Sequence, residues 1–513
     1  MIAHLLRIDW RLVLVALLGS LLISLWANIV DDVVNNDGIE YLKSAQNMLD
    51  GQWREAVETY KWPLYSALMA LISKLTHLSL EVSAYVIDGF AFAWIVISFV
   101  ALVRLLGGSK TELWLALLLV LCFPTLNKIR PYLIRDPAFL ALFLTAIYYY
   151  FCYFLEHKKR LNLLAIGFFG LSALFRIEGL VFLIMSQVYL MAISTSRKGA
   201  RWIATGLTLV LVMVMLVVLS WWNFTPDGNL TYLSIFSEPI NFLETVWAQL
   251  LDQVVARLHA IRSRVLVGYS HSYAYVVLLW SALTIVFFEL LDALYFSYAI
   301  LFGIAVSRKE IFPQRQLLKP WRFLLMVALG ILIAFVLLQW FLTDRYPLSA
   351  ALLILLPIPF LLAKWLRAAR GGATNKKSKI VFTVVMSLII LAGLKSFDLA
   401  TKKTYLKESG IWLKHNIQPE ASIYTNNKII AHYIGRNVHD GRYRSSWKGN
   451  RKLALIASRK YDYLALNVEP KDAQYALDIP LVVRREPLII FENEKGAKVL
   501  IIEMNNKRAD HSQ

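Results

Sequence analysis

Long apolar runs separated by short polar interruptions fill most of the chain. Eleven of them approach or reach the ~20 residues that a membrane-spanning helix requires. They lie at roughly 11–31, 83–106, 112–126, 137–155, 161–175, 179–195, 202–222, 281–306, 321–341, 346–363 and 379–396. The third and fifth are short. The pattern predicts a polytopic α-helical membrane protein of about 11 spans. Arg7 and Arg11 precede the first run, and no small-residue cleavage site follows it, so it reads as a retained signal anchor. The apolar stretch 273–306 is long for one crossing and contains Glu289 and Asp292. It is read as one span, because the basic segments 308–322 and 364–379 then share a side.

Composition agrees: 58% of the residues are hydrophobic and only 17% charged, against about 25% charged in soluble domains. A soluble enzyme, a disordered chain and a fibrous repeat are excluded. The formal charge of +19 would suggest nucleic acid in a soluble protein. Here much of it clusters in alternate loops, where it reports topology. With the N-terminus inside, the inner loops hold Arg104 and Lys110, then Lys158–Arg160, then Arg197, Lys198 and Arg201, then the series from Arg308 to Arg322 and from Lys364 to Lys379. An odd span count puts the C-terminus outside.

On that topology, residues 1–396 form a transmembrane domain with large outer loops at 32–82 and 223–280, and 397–513 form an extracytoplasmic domain. The second loop carries an apolar stripe of Leu243, Trp247, Leu250, Leu251, Val254, Leu258, Ile261 and Val265, the spacing of an amphipathic helix at a membrane interface. In the tail, a helix over Tyr405–Ile417 precedes a strand at Ser422–Thr425 and a helix at Ile429–Ile434. Strands follow at Asp462–Val468, Leu481–Phe491 and Lys498–Glu503, the last two joined by a hairpin turn at Asn493–Gly496. This predicts a small α/β fold with its own core. Cys122 and Cys152 lie in apolar runs without metal-ligand spacing and read as packing residues. Asn223 and Asn229 head weak glycosylation sequons.

Ionisable groups at or beside membrane depth are costly and mark candidate sites. Four clusters stand out, all on the predicted outer side: Asp37 and Glu40 in Asn36-Asp37-Gly38-Ile39-Glu40-Tyr41, Arg135-Asp136-Pro137, Arg176-Ile177-Glu178-Gly179, and Asp344-Arg345-Tyr346-Pro347. Each has a structural alternative. Asp37 with Glu40 has the form of a capping box, and Asp136 before Pro137 resembles a helix start. Arg176 with Glu178 could be a structural ion pair, and Arg345 a snorkelling anchor. Together on one face they favour a site for a charged lipid head group.

The first cluster is followed by Met48-Leu49-Asp50-Gly51-Gln52-Trp53 and by Lys61-Trp62-Pro63-Leu64-Tyr65. This series resembles the first outer loop of GT-C membrane glycosyltransferases, near the protein O-mannosyltransferase and lipid A aminoarabinose transferase group. Asp136, Arg176-Ile177-Glu178-Gly179 and Arg345-Tyr346 are similar to later landmarks of that group. The sharp motifs fall within residues 36–180. Gly38 stands where many members have a second acid, and Trp62 replaces a proline.

The resemblance implies an inverting glycosyltransferase of a bacterial cytoplasmic membrane. It would move a sugar from a polyprenyl-phosphate donor to a lipid, polysaccharide or protein acceptor on the outer face. Asp37 would take the acceptor proton. Arg345 first, then Arg135 and Arg176, would meet the donor phosphate. Asp136, Glu178, Glu40, Tyr41 and Tyr346 would contact the acceptor or hold those groups. No metal site and no nucleotide-binding motif is visible. No cofactor is obligatory, with a divalent cation left open, and the lipid bilayer rather than nucleic acid is the macroscopic partner. A glycolipid transporter or flippase is the rival, with Glu289 and Asp292 its best features.

Overall fold

The computed structural model describes residues 1, 9–194, 251–308, 311–370, 376–396, 403–435, 438–440 and 457–504. The predicted span 202–222, both sequons and the stripe residues Leu243, Trp247 and Leu250 lie outside them. Seven described helices are long and apolar enough to cross a membrane: Trp10–Val30, Leu80–Leu105, Asp136–Glu156, Gly268–Ser307, Arg315–Gln339, Leu348–Arg370 and Lys377–Lys395. The chain is a multi-pass membrane protein. The predicted runs at 112–126, 161–175 and 179–195 coincide with helices of 12, 15 and 16 residues.

The chain packs as two units. The larger comprises residues 1–25, 44–130 and 134–397, and the smaller residues 26–43, 131–133 and 398–513. In chain order the helices are α1 (Trp10–Val30), α2 (Asn36–Leu49), α3 (Trp53–Thr59), α4 (Leu64–Thr76), α5 (Leu80–Leu105), α6 (Lys110–Leu121), α7 (Pro124–Lys128), α8 (Asp136–Glu156), α9 (Lys159–Ala173) and α10 (Glu178–Ile193). After them come α11 over 251–264, α12 (Ala274–Ser307), α13 (Leu318–Gln339), α14 (Leu348–Leu355), α15 (Ile358–Arg370) and α16 (Lys376–Lys395).

In the larger unit α8 packs between α5 and α9. Apolar burial alone drives little helix association inside lipid, so ring contacts and buried polar pairs fix the register. Phe143 meets Phe182 at 4.5 Å, and Trp94 Nε1 donates to Thr145 Oγ1 at 2.9 Å. Asn162 Nδ2 donates to Gln187 Oε1 at 2.9 Å, tying α9 to α10. At the start of α6, Glu112 Oε2 accepts from the Ser109 N–H at 3.0 Å. Its other oxygen accepts from Arg367 of α15 at 2.7 Å.

Helix α12 is broken. Tyr295 has φ 53° and ψ 136° inside an otherwise helical run, so the stretch read as one span is two helices joined at a kink. A break releases carbonyls from the helical ladder. One of them, Ala293 O, accepts from Thr125 Oγ1 at the start of α7.

The apolar stripe on α11 is partly consumed by protein packing. Leu258 is buried with Ala274 and Leu278, and Val254 and Ile261 pack beside them and Leu337. Leu251 and Val265 stay exposed. Arg257, off that stripe, donates to the carbonyls of Leu337 and Leu338. It thereby satisfies acceptors that the end of α13 leaves open.

The smaller unit contains α17 (Thr404–Asn416), β1 (Ile423–Thr425), α18 (Lys428–Ile434), β2 (Val438–Asp440), β3 (Tyr463–Val468), α19 (Ala473–Val483), β4 (Ile489–Glu492) and β5 (Lys498–Glu503). The sheet order is β2-β1-β3-β5-β4. β2, β1 and β3 run parallel, while β5 is antiparallel to both its neighbours. Val438↔Ile423↔Tyr463 sets the parallel register. The β4–β5 turn is the expected one: Gly496 has φ 81°, and Asn493 Oδ1 accepts the N–H groups of Lys495 and Ala497. One expectation is corrected. Leu481–Val483 ends α19 instead of opening β4, and Arg484 in a left-handed conformation stops the helix.

Candidate active site

Three separate turns supply a pocket in the larger unit. Asp136 is the first residue of α8 and precedes Pro137, which sits in the first turn where its missing N–H costs nothing. Arg176 lies in the turn between α9 and α10, and Glu178 opens α10. That turn is tight: a Cβ on Gly179 would come within 2.5 Å of the Ala173 backbone N. Glycine there lets Arg176 and Glu178 sit against the end of α9. Arg345 and Tyr346 occupy the short link before α14. Asp136, Arg176, Glu178, Arg345 and Tyr346 line the same pocket, walled by Phe139, Leu332 and Phe335.

The Arg176 guanidinium is 8% exposed and bridges the two acids. Nη1 donates to Asp136 Oδ1, while Nε, at 3.0 Å, and Nη2 both donate to Glu178 Oε1. The Tyr346 ring lies 4.7 Å from the Arg176 carbon centre, and Phe335 packs on the same ring at 4.4 Å. Burial works against the guanidinium charge, but the carboxylates of Asp136 and Glu178 hold its pKa well above the ordinary value. One cation against two carboxylates leaves this group with a net negative charge. Arg345 faces the Tyr346 ring from 5.6 Å and adds a cation at the pocket wall.

Arg135, one residue before Asp136, stands over the rings of Tyr60 and Trp62, 5.5 Å from each. Its Nη1 is buried and has no hydrogen-bond partner among the described residues. Trp62 thus gives Arg135 an aromatic face that a proline could not. Asp136 serves as more than a helix start, since its carboxylate is bonded to Arg176.

Asp37, Glu40 and Tyr41 belong to the smaller unit. Asp37 is half-buried in the first turn of α2, and Glu40 pairs with Lys428 at 2.8 Å. Tyr41 is 3% exposed and is a core residue. Gly38 explains the missing second acid: a Cβ there would lie 2.9 Å from Leu133 Cβ and 3.0 Å from Val34 Cγ1. Among the described residues no group of three or more His, Cys, Asp or Glu side chains is placed to hold a metal ion.

Two buried polar residues escaped the sequence reading. Asp88 in α5 is 2% exposed, accepts from Tyr65 Oη at 2.6 Å and lies within electrostatic reach of Asp136. A single acid in the apolar run 83–106 was the available signal. Arg130 is 1% exposed; its guanidinium donates to Asn127, Ser20 and Ser24 and stands 4.6 Å over Phe92. Asn127 is local, but Ser20, Ser24 and Phe92 come from two distant runs that nothing local announces.

Among solved structures, the chain resembles the apo oligosaccharyltransferase of Archaeoglobus fulgidus. The TM-score is 0.50 at 12% identity, with 97% of this chain and 75% of that one covered. The chain has the fold of an oligosaccharyltransferase. A second neighbour is ArnT from Cupriavidus metallidurans in the apo state, with TM-score 0.41, 11% identity and coverage of 95% and 97%. The likeness to the oligosaccharyltransferase is one of fold. No protein-family model matches the sequence, and no curated protein does.

Proposed function

We propose that the protein is an inverting glycosyltransferase that moves a sugar from a polyprenyl-phosphate carrier to an acceptor hydroxyl at the outer face of a bacterial cytoplasmic membrane. The observation that carries this reading is the pocket joining Asp136, Arg176 and Glu178 to Arg345 and Tyr346, on a fold shared with an oligosaccharyltransferase. In the reaction the acceptor oxygen bonds to the anomeric carbon as the bond from that carbon to the phosphate oxygen breaks. The bonding pair stays on the phosphate, and the hydroxyl proton passes to a carboxylate.

We assign that carboxylate to Asp37. The polyprenyl phosphate gains charge as it departs and needs fixed cations. Arg345 at the pocket wall suits this role. Arg135, with an unspent buried donor, is the second choice. Arg176 already answers two carboxylates, so its role is to fix Asp136 and Glu178, which orient the acceptor. Hydroxyls of a lipid, a polysaccharide or a protein are all acceptors for this chemistry.

A transporter or flippase is the second reading, favoured by the helix break at Tyr295 beside Glu289 and Asp292, since broken helices with intramembrane charges line transport paths. Purified protein in vesicles, given a panel of undecaprenyl-phosphate hexoses and pentoses together with lipid, polysaccharide and protein acceptors, separates the two. The transferase reading expects release of undecaprenyl phosphate with a covalent glycoside product. Movement of the intact donor across the bilayer with no release would replace it by the carrier reading.

A further inference from the structure

We infer that the C-terminal domain is a positioning element for Asp37, and that Lys428 and Tyr433 act in turnover by fixing the segment that carries that carboxylate. The inference rests on the assignment of Asp37 as general base made above.

The segment leading into α2, residues 31–35, lies in neither helix nor strand. Its backbone groups must still find partners. The C-terminal domain provides them. Tyr433 Oη accepts from the Val34 N–H at 3.0 Å and donates to Asp32 O at 3.4 Å. Lys407 Nζ donates to the same carbonyl at 3.2 Å and to Asp32 Oδ2 at 2.5 Å. On the far side of Asp37, Lys428 pairs with Glu40 at 2.8 Å. Asp37 therefore lies three residues from an anchored backbone amide at Val34 and three from an anchored carboxylate at Glu40. Val33 is buried in the domain's core with Ile430 and Ile434, and Ile39 packs against the same cluster. No glycan-facing role is needed to explain these contacts: they fix a short extended strap and the first turn of a helix.

Residues three apart on a helix are neighbours, so the Lys428–Glu40 pair holds the turn on which Asp37 sits. A domain that merely braced the fold would lower turnover only by lowering the amount of folded protein.

The test uses the full-length protein in vesicles with Tyr433→Phe, Lys428→Met and Lys428→Arg. Hydrogen exchange over residues 33–40 is read together with undecaprenyl-phosphate release from the panel of undecaprenyl-phosphate sugars. Both Tyr433→Phe and Lys428→Met should raise exchange at 33–40, leave the melting temperature and the KM for donor close to wild type, and slow kcat by about 10-fold or more, as misplacement of a reacting group does. Lys428→Arg, which can keep the pair with Glu40, should restore both exchange and kcat. Wild-type exchange at 33–40, or a loss of turnover that merely follows loss of folded protein, overturns the inference. Wild-type turnover in Asp37→Asn would remove the base assignment instead. The exchange result would then still decide whether the domain holds the strap.

Discussion

At the residue scale, Arg176 and Arg345 illustrate how context divides two similar side chains. Removing Arg176 strands two carboxylates against a buried wall. Arg176→Ala should therefore destabilise the protein by about 3–5 kcal/mol, seen as a lower melting temperature in detergent, and inactivity should follow unfolding. Arg345→Ala should leave the melt unchanged and cut carrier-phosphate release by about 10²-fold or more, the usual cost of losing one charge-stabilising group. Equal stability losses in the two variants would refute the division of roles. Gly38 makes a steric prediction. Gly38→Asp, which would place a second acid beside Asp37, should misfold the 31–40 segment because Leu133 and Val34 occupy the space its Cβ needs. Limited proteolysis of that segment would show it. Much of the pocket was legible as three of the four clusters of costly charge, at Asp136, at Arg176 with Glu178, and at Arg345. The pairing within it was not: Asp136 and Arg176 are 40 positions apart, and spacing suggested only the neighbouring Arg176–Glu178 pair. Asp37 and Glu40 read as a capping box because the spacing fits; the lysine that claims Glu40 lies 388 positions away.

At the element scale, the apolar periodicity located helices reliably, because a run of about 20 apolar residues has few alternatives in lipid. It could not locate breaks. Tyr295 is neither proline nor glycine, and the contact made beside it, Thr125 on Ala293 O, comes from a distant helix. Thr125→Val should destabilise the native fold by about 1 kcal/mol, the typical size of such a bond in membranes, measured as an earlier unfolding midpoint in denaturing detergent; a wild-type midpoint would make the bond incidental. The α19–β4 boundary was missed for a related reason. Leu481–Val483 and Leu488–Ile490 form two apolar runs divided only by Arg484–Pro487, and a left-handed Arg484 marks the true helix end. Helix α18 carries a titratable reporter. Burial lowers the pKa of His432 from its ordinary 6.5, so the native state binds its proton less readily than the unfolded chain. Stability from this group is full above pH 6.5 and falls as the pH drops below that value, levelling once the native imidazole is protonated. Melting temperatures at pH 7.5 and 5.5 should diverge less in His432→Gln than in wild type, and an unchanged divergence would remove His432 as the source.

At the scale of the whole molecule, the sequence announced a multi-pass membrane protein with an α/β tail, since composition and periodicity act over hundreds of residues. It did not announce that residues 26–43 and 131–133 fold with the tail rather than with the spans flanking them. The contacts responsible, from Lys407, Lys428 and Tyr433 to the strap at 31–35 and to α2, depend on tertiary folding and leave no local pattern. In the proposed transfer a carboxylate on α2 takes a proton while fixed arginines receive a departing phosphate. Its most direct test is undecaprenyl-phosphate release by wild type and Asp37→Asn, reconstituted in equal folded amounts with the same donor and acceptor. The account predicts that the asparagine variant binds the donor and melts like wild type, yet turns over about 10²–10⁴-fold more slowly, the range that a lost general base commands. Release at the wild-type rate from Asp37→Asn would contradict it.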